Sequence, residues 1–267
     1  MKKISFLIVA TLFALVSCQK SIENKPELQK FYDQYKVKGS FLLYDVKNDK
    51  YIGYDAERVR QDFVPSATLD ILNSLVGIEN GIIKDEKFTL KWDSTQKFSV
   101  SEWNKDQNLR SALSLSCPWF FQYVVKQAGD AKITDALIKC EYGNKDTSDL
   151  KDLWSGKLRI NSEQQVILLK NLYENRLPFS ANAHDMVKAA LLKKEAKDTT
   201  DYSLSAKIGW GNQDGTQIGW YIGYVVKKDS LFIFANNIET KSQNDSLFKI
   251  GRQDIAELIL KELKVIK

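Results

Sequence analysis

Apolar positions along this chain follow two periods, and the change between them divides it. Gly39–Asp45 (Gly-Ser-Phe-Leu-Leu-Tyr-Asp) and Tyr51–Tyr54 are apolar and aromatic runs on either side of Lys47-Asn48-Asp49, which predicts a β-hairpin. Leu69, Leu72, Leu75 and Val76 then fall at helical spacing, and Gly81 supplies the stop. Helical periodicity continues through Leu109–Ala128 and Ile133–Cys140. Ser162-Glu163-Gln164-Gln165 reads as a capping-box start for a helix over Val166–Tyr173, and Leu177-Pro178 ends that stretch. The last third changes character. Ser203–Trp210, Gly219–Val226 and Leu231–Asn236 are β-branched and aromatic runs separated by turn residues, so three antiparallel strands are expected there. Ile255, Leu258, Ile259, Leu263 and Ile266 give a closing helix one apolar face. The order of two strands, many helices, three strands and one helix predicts a mixed α/β (α+β) protein. Its antiparallel sheet of about five strands is flanked by N- and C-terminal helices, with an all-helical lobe inserted between the early and late strands.

Composition adds exclusions. The chain has 267 residues, 43% hydrophobic and 27% charged, which suits a large globular core and not a disordered or multi-span chain. A net charge of +5 is spread along the sequence with no long basic run, so nucleic acid is not an expected partner. The first residues carry more. Lys2 and Lys3 precede an apolar run, Ile4–Val16, that is too short to span a bilayer and ends in Leu15-Val16-Ser17-Cys18. This reads as a signal peptide over residues 1–17. It resembles the lipobox of bacterial lipoproteins, which implies that Cys18 is diacylated and becomes the N-terminus. The expected location is therefore the periplasmic side of a Gram-negative envelope, at the inner or outer membrane, with membrane contact through the lipid anchor only. Polar residues 18–34 read as a tether and 35–267 as the folded domain. Of the remaining cysteines, Cys117 and Cys140 are either a disulfide in an oxidising compartment or two buried thiols. A metal site is not expected, because His184 is the one histidine and no paired-cysteine spacing occurs. His184 lies in the polar stretch Ser180–Asp185 and reads as an exposed residue at a helix start.

Candidate chemistry lies in clusters that are ordinary singly and informative in their order. They are Pro65-Ser66-Ala67-Thr68-Leu69-Asp70, Trp103-Asn104, Ser116-Cys117-Pro118, Tyr142-Gly143-Asn144, Leu153-Trp154-Ser155-Gly156-Lys157, Lys207-Ile208-Gly209-Trp210, Ile218–Tyr224 and Arg252. Over almost all of Phe41–Lys267 this succession resembles the class D (oxacillinase-type) serine β-lactamases, within the penicillin-recognising serine enzymes. Such enzymes carry Ser-x-x-Lys at a helix start, Ser-x-Val, Tyr-Gly-Asn, a loop tryptophan and Lys-Thr-Gly on a strand. The resemblance implies attack of serine on a lactam carbonyl, an anionic carboxylated lysine as base, and two backbone N–H groups holding the oxyanion.

Mapped onto this chain, the resemblance places Ala67 at the nucleophile position and Asp70 at the general-base position. It places Ser116 and Lys207 beside them, and Trp154, Gly209, Trp210 and Arg252 around the substrate, with Arg252 receiving its carboxylate. It implies no cofactor, and the carboxylated lysine is not possible at Asp70. The expected partner is a β-lactam or an acyl-D-Ala-D-Ala-like small molecule. The departures are Ala67, Asp70, Cys117-Pro118 in place of the Ser-x-Val continuation, and Ile208 in place of threonine. Alanine has no nucleophilic atom, so this copy is expected to be inactive or strongly impaired. The alternative is a non-catalytic envelope lipoprotein, or sensor-like protein, that binds β-lactam or peptidoglycan groups in the same cleft. Asp70 admits two readings: a helix-start carboxylate favoured by the helix dipole, or an ion-pair partner of Lys207. Ser66 is read as the cap of the helix start, with a replacement nucleophile backed by Asp70 as the other reading.

Overall fold

The computed structural model describes residues 21–149, 152, 154, 156–198, 201–242 and 246–267. The signal-peptide segment, Cys18, Leu153 and Ser155 lie outside the described residues. After β1 (Ile22–Asn24) and α1 (Gln29–Gln34) comes the expected hairpin, β2 (Lys38–Asp45) and β3 (Lys50–Tyr54), then a single helical turn, α2 (Ala56–Val59). A 3-10 turn, Ser66–Leu69, runs directly into α3 (Asp70–Glu79), and Gly81 follows with φ +67°. The small ladder β4 (Thr89–Leu90) and β5 (Gln107–Asn108) precedes α4 (Leu109–Leu115), α5 (Pro118–Ala128) and α6 (Asp130–Lys139). The chain closes with α7 (Ser162–Tyr173), α8 (Ala181–Leu191), β6 (Leu192–Lys194), the long strands β7 (Ser203–Gln213), β8 (Thr216–Lys227) and β9 (Ser230–Thr240), and α9 (Ser246–Glu262).

The main sheet has seven strands in the order β1-β3-β2-β9-β8-β7-β6, against the five expected. Early and late strands do join, through β2 against β9. All ladders are antiparallel except β1 with β3. The two additional strands are three residues long and polar at both places, too short to show a period of two. β1 also corrects the tether, because the segment is folded from Ile22 onward. Ile22 pairs beside Tyr51, and Leu28 and Tyr32 are buried.

Both sheet faces are covered, which explains why β2 reads as an unbroken apolar run. Phe41 and Leu43 point into the core shared with α1 and α9, whereas Leu42 and Tyr44 point into the core of the helical lobe. β8 alternates likewise, with Tyr221 and Val225 on the first face and Trp220, Ile222 and Tyr224 on the second. Inside the lobe, α3 is buried at every position from Asp70 to Ile78, so polar residues on it meet other side chains and not water.

Two helix boundaries differ from expectation. The stretch 109–128 is two helices, because Ser116 adopts a left-handed φ of +50° and Pro118 starts the next helix at N1. The box that opens α7 is Asn161 with Gln164, one residue earlier than Ser162: the Asn161 side chain accepts from the Gln164 N–H, and the Gln164 side chain accepts from the Asn161 N–H.

Strand β7 passes so close to the Ser66–Leu69 turn that only glycine fits there. A Cβ on Gly211 would lie 2.4 Å from Ser66 Oγ, and one on Gly209 would lie 3.0 Å from Thr68 Cγ2. Gly211→Ala should cost about 1–3 kcal/mol through this overpacking. Ser66→Gly removes the obstructing side chain and relieves a non-glycine φ of +51°, so it should recover most of that loss in the double variant. Urea unfolding of the two single variants and the double variant measures this coupling, and strictly additive losses would refute the contact.

Candidate active site

The turn that holds Ala67 is fixed from three sides. Phe63 exchanges backbone hydrogen bonds with Ile160 at 2.8 and 2.9 Å, and the Ser66 N–H donates to Trp154 O at 3.1 Å. From the sheet, the indole N–H of the buried Trp220 donates to Val64 O at 2.9 Å, and its ring meets Phe63 edge to face. From α7, Gln165 Nε2 donates to Thr68 Oγ1 at 2.7 Å, and Thr68 Oγ1 donates to Pro65 O at 2.7 Å. Gln165 is fully buried; the sequence pattern offered it as the far member of a capping box, and it braces this turn instead.

Tyr142-Gly143-Asn144 acts on the Trp154 loop through the Gly143 backbone and through both the backbone and the side chain of Asn144. Gly143 has φ +54°, and a Cβ there would run into Arg159 O. Asn144 donates to Arg159 O from its backbone and to Lys157 O from Nδ2, and its Oδ1 accepts the Arg159 N–H. The motif therefore clips the far end of the loop that brings Trp154 over the start of α3.

Ala67, Asp70, Ser116, Trp154, Trp210 and Arg252 line one cleft of about 620 Å³, together with Trp103, Leu115 and Ile208. Trp103 is held there by its indole N–H, which donates to Leu115 O, and by the Trp119 indole N–H, which donates to Trp103 O. Lys207 and Gly209 lie behind this wall: Lys207 is 1% exposed and Gly209 packs on Thr68. Arg252 donates from Nη1 to Gly209 O at 3.2 Å, and its guanidinium lies 5.6 Å from the centre of the half-exposed Trp210 ring.

Asp70 resolves as an ion-pair partner. Trp154 Nε1 donates to its Oδ1 at 2.8 Å, and Lys207 Nζ lies 3.7 Å from its Oδ2. Lys207 also donates to Ser116 Oγ at 2.5 Å and to Ile208 O at 2.8 Å. Burial pushes the Asp70 carboxyl up to about 6, against the pull of the Lys207 charge and the Trp154 hydrogen bond. Burial likewise pulls Lys207 down to about 8, opposed by Asp70 and assisted by the nearby Lys193 and Arg252 charges.

Two expectations are corrected here and one open alternative is settled. Ser66 makes no capping hydrogen bond: it is 1% exposed, and its Oγ has no partner among the described residues. Its left-handed backbone turns the hydroxyl under β7 and not along the helix axis. His184 is buried and not exposed, because it shares the inward face of α8 with Ala183, Val187 and Leu191. Its Nδ1 meets Ser180 O at 2.9 Å, and it does not line the cleft. Cys117 and Cys140 are free thiols, which closes the open question of their pairing.

A sheet sandwiched between terminal helices and an inserted helical lobe, with a cleft at the start of a buried helix, is the arrangement of a penicillin-recognising acyl-transfer domain. The family model of the penicillin-binding protein transpeptidase domain matches residues 39–261. The chain is 30% identical to β-lactamase OXA-48 of Klebsiella pneumoniae over 97% of this chain and 96% of that one. It is 34% identical to the regulatory protein BlaR1 of Bacillus licheniformis over 78% of this chain, a match that spans 34% of BlaR1. The crystal structure of a class D β-lactamase from Sebaldella termitidis superposes with a TM-score of 0.85 at 30% identity, covering 93% of this chain and 100% of that one. The chain belongs to the class D serine β-lactamase family.

The buried pair makes stability depend on pH. Asp70, raised from 3.8 to about 6, takes up a proton in the native state first, so its contribution falls as pH rises from about 4 to about 6. Lys207, lowered from 10.5 to about 8, loses its proton in the native state first, so its contribution rises from about 8 to about 10.5. The pair is therefore least favourable between pH 6 and 8, where both groups are charged. At pH 7, Asp70→Asn alone should be destabilising, because the buried Lys207 must then either keep its charge without a partner or give up its proton. Asp70→Asn with Lys207→Met should be neutral or stabilising. Denaturant unfolding of both variants checks this, and equal losses would show that the pair is not coupled.

Proposed function

We propose that this chain is a penicillin-recognising protein of class D type whose cleft binds β-lactams, or the acyl-D-Ala-D-Ala ends they mimic, without acyl-enzyme turnover through position 67. One observation carries the reading. The residue on the cleft wall where the family has its serine is Ala67, and the carboxylate at the lysine position is already engaged by Trp154 and Lys207. An alanine methyl cannot form an ester with the substrate, and Asp70 cannot be carboxylated to restore the family's long anionic base. A nucleophile and base act as a unit worth roughly 10⁴–10⁶ in rate, so the loss of either removes most of it.

The recognition groups remain. The Arg252 guanidinium beside Trp210 suits a ligand carboxylate, Ser116 offers a hydroxyl to the cleft, and the backbone N–H groups of Ala67 and Trp210 would polarise a carbonyl without needing side chains. Similarity to the regulatory protein BlaR1 supports a second reading, a ligand-binding signalling module, in which occupancy of the cleft and not hydrolysis is the output. The N-terminal pattern supports an exported lipoprotein held at the periplasmic side of the envelope through Cys18.

The deciding comparison sets the unaltered protein against the Ala67→Ser, Asp70→Lys double variant. Calorimetry should detect penicillin binding to both. Hydrolysis of a chromogenic cephalosporin should be roughly 10⁴-fold or more faster in the double variant, with a penicilloyl mass on residue 67. Comparable turnover by the unaltered protein would sink the proposal, and a double variant that neither binds nor acylates would show that the cleft has lost recognition. For the anchor, cells expressing the full chain should incorporate labelled palmitate, and Cys18→Ala should abolish the label. Retention of label in that variant would exclude Cys18 as the lipid site.

A further inference from the structure

From the geometry around Lys207 we infer that Ser116 and Lys207 form a second nucleophile–base pair, so that the cleft can be acylated slowly at Ser116 by a β-lactam or another activated acyl donor. The inference rests on the reading above only for the choice of lactam as donor.

Ser116 ends α4 in a left-handed conformation that turns its hydroxyl away from the helix. It is half-buried and lines the cleft with Ala67 and Trp210. Its Oγ lies 2.5 Å from Lys207 Nζ and 3.2 Å from Ile208 O. A serine in contact with a buried lysine is the arrangement that lets an amine take the hydroxyl proton during attack. The charged groups facing Lys207 are Asp70 from α3, Lys193 from β6 and Arg252 from α9. Burial and the two cations disfavour its charged form and Asp70 favours it, with the balance at about 8. A substantial share of neutral amine is therefore present just above neutral pH.

The other candidate nucleophiles fail on geometry. Ser66 is buried under Gly211 and does not line the cleft. Cys117, next to Ser116, is fully buried, and burial pushes its thiol up to about 11.

In the step itself, Ser116 Oγ bonds to the lactam carbonyl carbon as its proton passes to neutral Lys207 Nζ. The carbonyl C–N bond then breaks, and Nζ returns the proton to the departing nitrogen. No electron or proton is gained or lost, so the adduct has the mass of the protein plus the whole lactam. Asp70, engaged by Trp154 and Lys207, is not available to activate water, so the ester persists.

The full-length protein is incubated between pH 6.5 and 9.5 with benzylpenicillin and, separately, with diisopropyl fluorophosphate, a serine reagent that needs no lactam recognition. Intact mass and peptide mapping follow. Both reagents should label Ser116, with rates rising about tenfold per pH unit below pH 8 and levelling above it. Ser116→Gly, which suits the left-handed backbone, should lose both labels while its thermal melt stays cooperative, and Ser66→Ala should keep them. Asp70→Asn should move the midpoint of the pH profile downward, a shift that a merely structural Lys207 would not produce. Absence of phosphoryl label on folded protein, or label mapping elsewhere, overturns the pair even if penicillin binds. Phosphoryl label on Ser116 without any penicillin binding keeps the pair and overturns the lactam reading.

Discussion

Strand β7 lies almost in van der Waals overlap with the turn that starts α3, and the arrangement of the cleft depends on that closeness. Gly209 and Gly211 supply the space, leaving room for the Thr68 methyl and the Ser66 hydroxyl against the strand. The consequence is that Lys207, on the same strand, reaches Asp70 at the first turn of α3 and Ser116 at the end of α4. Three segments far apart in sequence thus share one ammonium group. Trp154 closes the group from the fourth side, on a loop whose end is clipped by Asn144 and whose carbonyl accepts from Ser66.

Burying an aspartate and a lysine side by side in this position is expensive unless each satisfies the other. Asp70 has two polar partners, the Trp154 indole and Lys207, and Lys207 has three, Asp70, Ser116 and Ile208 O. The arrangement is electrically neutral and well hydrogen-bonded, which is how a centre with Ala67 and Asp70 stays folded. The same satisfaction occupies both Asp70 oxygens, one by the indole and one by the ammonium.

The helical lobe and the sheet contribute differently. The sheet, covered on both faces, is the rigid wall that fixes Lys207, Gly209 and Trp210 relative to Arg252 on α9. The lobe supplies the cleft rim: Ser116 at a break between two helices, Trp103 and Leu115 beside it, and Trp154 on a loop. The fold itself is shared with the class D β-lactamase of Sebaldella termitidis, which superposes over 93% of the chain.

Much of this was legible in the sequence. The apolar run of β2, the late three-strand meander and the amphipathic last helix follow directly from residue periodicity, because burial of one or both faces is a local pattern. Family order identified Ala67, Asp70, Ser116, Trp154, Trp210 and Arg252, and all six line one cleft. Periodicity could not reveal β1 and β6, which are three residues each and exist only because a neighbouring strand edge accepts them. Local polarity misjudged His184, which packing buried, and the helix-start position misjudged Ser66, which caps nothing and is buried under β7. The sequence by itself determined that residue 67 carries no nucleophilic oxygen, because the identity of a side chain is a covalent fact. Only the tertiary structure decided what replaces it, the Asp70–Lys207–Ser116 contact, because three residues separated by up to 137 positions meet only once β7 docks on the turn before α3.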